Sequence, residues 1–400
     1  MKVTMIISEY DPFHSGHRYL TGQAASQTGE PVVSLMSGCF LQRGLPSILD
    51  KYDRAEAAVL CGCAAVFELP VYYATSSARD FAEGAVRLAG KTGVVDHLAF
   101  GVESADLSLL QEIARILADE PEAFRETLRQ SFKDGHSYPA AREKALLLFF
   151  PGREEQVSRL LRQPNHILAL EYLRAIYLFA PEIRPLPVLR SDHGYHSHLP
   201  KENVLSASGI RELLSEGMDI SSFIPECLHD YYQKKTFLLH PEERLAGTLN
   251  YLLLRMQSGF LDPSVSDFSE SLLQRVKKLR LPLSYEALID ALKEKNETRT
   301  RICRALIHLL LNIREDVMVR LRQSGASYLN LLALSRSSSG ELKELLANAN
   351  VNIINKKADF RPEGLMKALW ETDCFASMLY AMLRNEAAVP EETRKVRIVD

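Results

Sequence analysis

Along the N-terminal part of the chain, short apolar runs alternate with stretches whose apolar positions recur at helical spacing. Residues 3–8, 32–36, 65–69 and 97–100 are brief, apolar at successive positions, and rich in β-branched or aromatic side chains. Half-exposed strands would alternate apolar with polar, so these runs predict strands covered on both faces. Helical periodicity fills the gaps between them, over residues 17–27, 53–61 and 78–89. Strand–helix–strand alternation predicts an α/β fold: a doubly wound, Rossmann-like parallel sheet with helices on both faces. In such a sheet the ligand lies beyond the C-terminal ends of the strands.

From residue 107 the pattern turns helical, over 107–117, 122–132, 142–148 and 154–179. A short strand-like piece, 186–189, is followed by a loop rich in His and Gly, and Ser206 opens a helix over 209–216. Beyond Pro225 no convincing strand is legible. Leucine-rich amphipathic stretches run to about residue 384, and the charged tail 386–400 reads as loosely ordered. One hydrophobic core rarely grows past about 250–300 residues, so a chain of 400 suggests two units. The expected division is a catalytic α/β unit over 1–225 and an all-helical unit over 226–400, with the boundary near 220–235.

Composition narrows the picture little. The apolar fraction of 46% and charged fraction of 25% are ordinary for a globular protein, and the net charge of -3 gives no global pull toward polyanions. The N-terminus carries Glu9 and Asp11 soon after one short apolar run and lacks a signal-peptide pattern. No run approaches the roughly 18 apolar residues that span a bilayer. Six cysteines, with Cys61 and Cys63 the only close pair, read as buried thiols rather than a disulfide framework. The expected location is the cytoplasm, and no membrane association is expected.

Chemistry enters with Glu9-Tyr10-Asp11-Pro12-Phe13-His14-Ser15-Gly16-His17, directly after the first strand. Two histidines flank a glycine at a loop-to-helix turn. Gly16 permits close backbone approach, and a helix beginning at His17 favours negative charge at its N-terminus. Imidazoles there can donate hydrogen bonds to a phosphoryl oxygen as charge builds in a transition state. A second segment, Ser206-Ala207-Ser208-Gly209-Ile210-Arg211, opens a helix with hydroxyls at capping positions. Its N–H groups and Arg211 suit a polyphosphate, whereas a plain helix cap is the alternative.

Both segments resemble the HxGH nucleotidylyltransferase superfamily, which carries the histidine motif early and a Ser/Thr-rich Ile-Arg motif late. Further segments resemble the bacterial tRNA(Met) cytidine acetate ligase family: Met36-Ser37-Gly38 with Gln42-Arg43-Gly44, Lys51-Tyr52-Asp53-Arg54-Ala55, and Phe67-Glu68-Leu69-Pro70. So do Phe100-Gly101-Val102-Glu103, Pro164-Asn165-His166-Ile167-Leu168 and Gly194-Tyr195-His196. That family activates acetate with ATP as acetyl-adenylate, then acetylates N4 of the wobble cytidine of elongator tRNA(Met). The resemblance implies catalytic roles for His14 and His17. It implies ATP contacts from Ile7, Ser8, Glu9, Tyr10, Asp11, Pro12, Phe13, His14, Ser15, Gly16, His17, Arg18, Tyr19 and Leu20. Further ATP contacts are implied at Gly101, Asn165, Arg190 and Ser191, joined by Ser208 and Arg211 on the β- and γ-phosphates. Mg²⁺ would accompany ATP on phosphate oxygens and water, without a protein cage.

His193, His196 and His198 crowd one loop, but with Asp192 as the lone nearby carboxylate and no Cys, no metal site is expected. Lys51, Arg54 and Arg43 are equally readable as facing the substrate cleft or tRNA, or as a solvated helix face. Residues 271–326 hold twelve Lys/Arg against six Asp/Glu, a local net of +6. Arg299, Arg301 and Arg304 within it are the tRNA-binding candidates, since clustered cations are the footprint of a polyanion. The loop 335–340, Ser335-Arg336-Ser337-Ser338-Ser339-Gly340, departs from the family's pattern. Two rivals stay open. A small-molecule nucleotidylyltransferase would leave the basic helical unit unexplained, and a non-catalytic RNA-binding relic is opposed by intact His14, Gly16, His17, Ser208 and Arg211. Oligomeric state is not legible.

Overall fold

A computed structural model describes residues 2–103, 106–190, 205–262, 264–294, 297–338, 340, 342 and 346–400. Five parallel strands form as the apolar runs predict: β1 (Val3–Ser8), β2 (Val32–Ser37), β3 (Ala65–Leu69), β4 (Val95–Val102) and β5 (Arg184–Leu189). Their order, β5-β4-β1-β2-β3, reverses direction at β1 and β4, the place where a doubly wound sheet opens a crevice. Helices α1 (Ser15–Thr28), α2 (Lys51–Leu60), α3 (Val71–Ala74) and α4 (Ala78–Thr92) connect them. Side chains of β3 alternate between two buried clusters, Ala65, Phe67 and Leu69 in one and Val66 in the other. This is why the sequence shows no polar positions along most of the strand.

A helical insertion separates β4 from β5: α5 (Leu107–Asp119), α6 (Glu122–Lys133), α7 (Tyr138–Leu147), α8 (Glu154–Leu161) and α9 (Pro164–Phe179). The single helix expected over 154–179 is two. Pro164 has no N–H to donate and pushes the residue before it away from helical backbone, so the chain breaks there and restarts with proline in the first turn.

The second half is mostly helical, with α10 (Ala207–Ser215), α11 (His229–Gln233), α12 (Pro241–Gln257), α13 (Glu270–Val276), α14 (Tyr285–Leu292), α15 (Arg299–Leu311) and α16 (Glu315–Ser324). The expectation that no strand follows Pro225 is corrected. Strand β6 (Tyr328–Ser335) pairs antiparallel with β3, and β7 (Asn352–Ile354) and β8 (Arg397–Val399) pair parallel with β6 in the same sheet. The reading of the tail as loose is corrected too. Glu391 is fully buried and Arg394 donates to Asp50 at 2.9 Å. Lys51, also fully buried, lies 2.8 Å from Glu68 and 3.1 Å from Glu391 and so ties the tail to β3. Neither reading of Lys51 and Arg54, cleft or solvated face, holds. The Arg54 guanidinium is sequestered on the backbone carbonyls of Leu49, Ser37 and Gly38. Among the described residues no helix is long and apolar enough to cross a membrane.

Candidate active site

The chain leaves β1 through Tyr10, held at φ 50°, and enters α1 with His14 as its N-cap. The helix thus begins at Ser15, two residues before the expected start, and both histidines belong to its cap. His14 Nδ1 accepts from the Gly16 N–H at 3.0 Å, and His17 Nδ1 accepts from the His14 N–H at 3.2 Å. A ring nitrogen that accepts from a backbone N–H carries no proton of its own. Each neutral imidazole therefore has its proton on Nε2, as a hydrogen-bond donor. The rings stack with centroids 3.8 Å apart, and Tyr10 and Phe13 pack on His17 at 4.9 and 5.4 Å. A Cβ at residue 16 would sit 2.9 Å from His14 Cε1, so only glycine leaves the ring in place.

Burial disfavours the charged imidazolium and lowers the pKa of His14 to about 3, with Arg190 and Arg211 adding to the shift. His17 is lowered for the same reason, with further contributions from His14 and Arg190. Both rings are therefore neutral donors at physiological pH. Asp11 is buried between partners: Oδ1 accepts from the Ile48 N–H at 2.8 Å, and Oδ2 lies 3.4 Å from Arg211 Nη1. The same guanidinium donates to the Asp11 carbonyl at 2.6 Å, tying α10 to the histidine loop across 200 residues. Burial raises the Glu9 carboxyl, whose Oε1 accepts from the Gln42 N–H at 2.8 Å.

A cavity of about 570 Å³ opens over the ends of β1, β4 and β5, a size suited to a nucleotide. Of the expected contacts, Ile7, Ser8, Glu9, Tyr10, Asp11, His14, Gly16, His17, Tyr19, Leu20, Gly101, Asn165, Arg190 and Arg211 line it. Arg190 packs along Gly101, where an added Cβ would stand 3.5 Å from Arg190 Cγ. Asn165 donates to Glu103 Oε1 at 2.7 Å from the start of α9. Pro12 and Phe13 are buried, Ser15 starts α1, and Arg18 turns to Cys227 Sγ at 4.0 Å. Ser208 is exposed in the first turn of α10, its hydroxyl 3.0 Å from that of the capping Ser206. Ser191 and the His193, His196 and His198 loop lie outside the described residues.

Several lining residues escaped the sequence reading. Ala78, Phe81, Leu168 and Tyr172 form an apolar wall, and Thr300 enters from α15. Nothing in a single sequence couples residue 300 to residue 14. Arg43 resolves toward the cleft, lining the cavity beside Gln42. The basic trio is not brought together at the cavity. Arg299 makes a bidentate pair with Glu286 at 2.6 and 2.5 Å, Arg301 lies 3.6 Å from Glu297, and Arg304 lies 3.3 Å from Asp267. Among the described residues one cluster has metal-ligand spacing, Glu30, Asp96 and His97, where β4 begins, at the sheet end remote from this cavity.

The HIGH Nucleotidyl Transferase family model matches residues 1–395. A tRNA(Met) cytidine acetate ligase of Clostridium perfringens is 32% identical over 97% of this chain and 97% of its own length. The ligase of the same name from Syntrophomonas wolfei is 34% identical, over 96% of this chain and 95% of its own. The crystal structure of Thermotoga maritima TmcAL bound with alpha-thio ATP superposes with a TM-score of 0.88 at 27% identity, covering 100% of both chains. Cap, cavity and whole-length similarity agree: the chain belongs to the tRNA(Met) cytidine acetate ligase family of the HIGH nucleotidyl transferases.

Proposed function

We propose that this chain is an ATP-dependent tRNA(Met) cytidine acetate ligase, which makes N4-acetylcytidine at the wobble position of elongator tRNA(Met) in the cytoplasm. The observation that carries the reading is the pair of neutral, backbone-locked imidazoles at the switch point of the sheet. An acetate oxygen attacks the α-phosphorus of ATP, and the bond to the bridging oxygen breaks as pyrophosphate leaves. His14 and His17 donate Nε2–H to the α-phosphate oxygens as charge grows there, aided by the N-terminus of α1. Arg211 and the first turn of α10, with Ser208, hold the β- and γ-phosphates, Gly101 packs against the adenosine, Asn165 serves the ribose or a phosphate, and Arg190 and Ser191 supply further ATP contacts. The cytidine amine then attacks the acetyl carbonyl, AMP leaves, and the amine's surplus proton passes to solvent. No covalent enzyme intermediate is required.

Magnesium enters as part of the substrate, on phosphate oxygens and water. The cavity carboxylates already have partners, Asp11 with Ile48 and Arg211, and Glu9 with Gln42. Residues 226–400 would bind the tRNA, with Arg299, Arg301 and Arg304 exchanging their carboxylate partners for phosphates, while 1–225 carries the adenylation site. Thr300, at the cavity wall one residue from Arg299 and Arg301, brings these arginines close to the adenylation cavity. The test incubates the protein with ATP, labelled acetate and total tRNA, followed by mass spectrometry of nucleosides. Labelled N4-acetylcytidine confined to tRNA(Met) is the expected product. Acetyl-adenylate with no labelled nucleoside would favour a small-molecule enzyme instead.

A further inference from the structure

Arg43 differs from Arg54 and Arg211, two other guanidiniums around the histidine loop. Arg54 is buried on backbone carbonyls and Arg211 is bound to Asp11, whereas Arg43 is exposed at the cavity wall. No ion pair joins it to a carboxylate among the described residues, although its charge reaches Glu9. The loop that carries it is fixed. Gly44 donates to the Leu41 carbonyl at 2.9 Å, Leu41 to Leu45 at 2.9 Å, and the Gln42 N–H to Glu9 at 2.8 Å. Gly44, at φ 75°, packs so closely on α15 that a Cβ there would lie 2.4 Å from the Arg304 nitrogen. Arg43 is thus a cation carried on a fixed stretch of backbone between the histidine loop and the first turn of α15, where Thr300 also lines the cavity.

Topology places it on the acceptor side. It follows β2, on one flank of β1, whereas Gly101, near the end of β4, and Arg190, just after β5, lie on the other flank. A carboxylate that attacks the α-phosphorus must approach a polyanion, and that repulsion calls for a cation beside the nucleophile. The apolar share of so small an acid offers little else to recognise.

Resting on the proposed ligase reaction, we infer that Arg43 binds the carboxylate of the acyl substrate and holds it beside the α-phosphate, next to the first turn of α15. Arg43 is therefore a substrate-recognition residue of the first half-reaction.

The test measures acetate-dependent ATP–pyrophosphate exchange by the full-length protein without tRNA, for wild type, Arg43→Ala and Arg43→Lys. Loss of a charge-assisted bond should raise the KM for acetate by roughly 10–100-fold in Arg43→Ala and less in Arg43→Lys. ATP affinity, measured by titration calorimetry, should stay within about twofold, since the nucleotide contacts are untouched. Free guanidinium added to Arg43→Ala should recover part of the rate. An unchanged acetate KM overturns the inference. So does an equal loss of ATP affinity, which makes Arg43 a phosphate contact, or an effect seen only in tRNA transfer. Wild type that exchanges without any carboxylate refutes the ligase reading itself, before any variant is made.

Discussion

Replacing His17 with Ala separates what the imidazole does for the fold from what it does for the reaction. In the fold it accepts the His14 N–H at 3.2 Å and packs on Tyr10 and Phe13. An N-cap interaction contributes about 1 kcal/mol and each aromatic contact about 0.5–1.5 kcal/mol, so the variant should lose about 2–4 kcal/mol of stability. In the reaction its Nε2–H is a donor to the α-phosphate, and loss of one such donor lowers kcat by roughly 10²–10³-fold. ATP affinity should fall far less, because the donor is matched to charge that appears in the transition state. His17→Asn is the control. Its side-chain oxygen can still accept the His14 N–H and restore part of the stability, while its shorter amide does not reach the Nε2 position.

The assay is acetate-dependent ATP–pyrophosphate exchange at saturating ATP, with urea unfolding of each variant run alongside. Exchange should drop by about two orders of magnitude in both variants, with only Ala showing the full stability loss. If exchange follows the folded fraction, or if Asn exchanges like wild type, the histidine is a cap and not a phosphate donor. The pKa values add a second constraint. With His14 depressed to about 3 and His17 held well below its ordinary value by burial, both rings are neutral near pH 7. A rate that rises on acidification through a pKa near 6.5 would indicate imidazolium donors and refute the tautomers read from the cap.

Stability should report the same histidine with a definite sign. The folded pKa of His14 lies below its unfolded value of 6.5, so the unfolded chain takes up the proton first and stability falls as pH drops below 6.5. For a group held at about 3 the loss reaches about 2 kcal/mol by pH 5, and urea midpoints of wild type and His14→Ala should converge on acidification. Lys51→Met should cost about 3–5 kcal/mol by leaving Glu68 and Glu391 buried without their cation; thermal melts that match wild type would show that the network holds the tail only weakly. Arg299→Ala, Arg301→Ala and Arg304→Ala together should weaken tRNA binding and flatten its salt dependence, by roughly one unit of slope for each phosphate left without its cation. Acetyl-adenylate formation should survive, and unchanged tRNA affinity across salt concentrations would return the trio to its pairs with Glu286, Glu297 and Asp267.

What could be read from the chain alone follows from where its signals are local. The five parallel strands announce themselves because burial on both faces leaves uninterrupted apolar runs, and the histidine cap because all its partners lie within a few residues. Strand β6 offers no comparable sign. Tyr-Leu-Asn-Leu-Leu-Ala-Leu-Ser lacks the Val and Ile that favour strands, and its leucines suit a helix as well. What makes it a strand is the open edge of β3. Asn330 stands opposite Glu68 there and donates to its Oε2 at 2.7 Å, an atom that also takes Lys51. Burying these two polar side chains on adjacent strands is tolerable because each finds a partner, and the pairing between them spans 262 residues. The same distance in sequence hid the tail, since Glu391 reads as solvated charge until Lys51 and Tyr52 are seen to receive it. The second half that completes the sheet edge also supplies α15, which reaches the cavity wall. The covering of β3 and the arrival of Thr300 beside Arg43 are therefore one structural event, in which the half expected to be separate closes the fold of the half that holds the histidines.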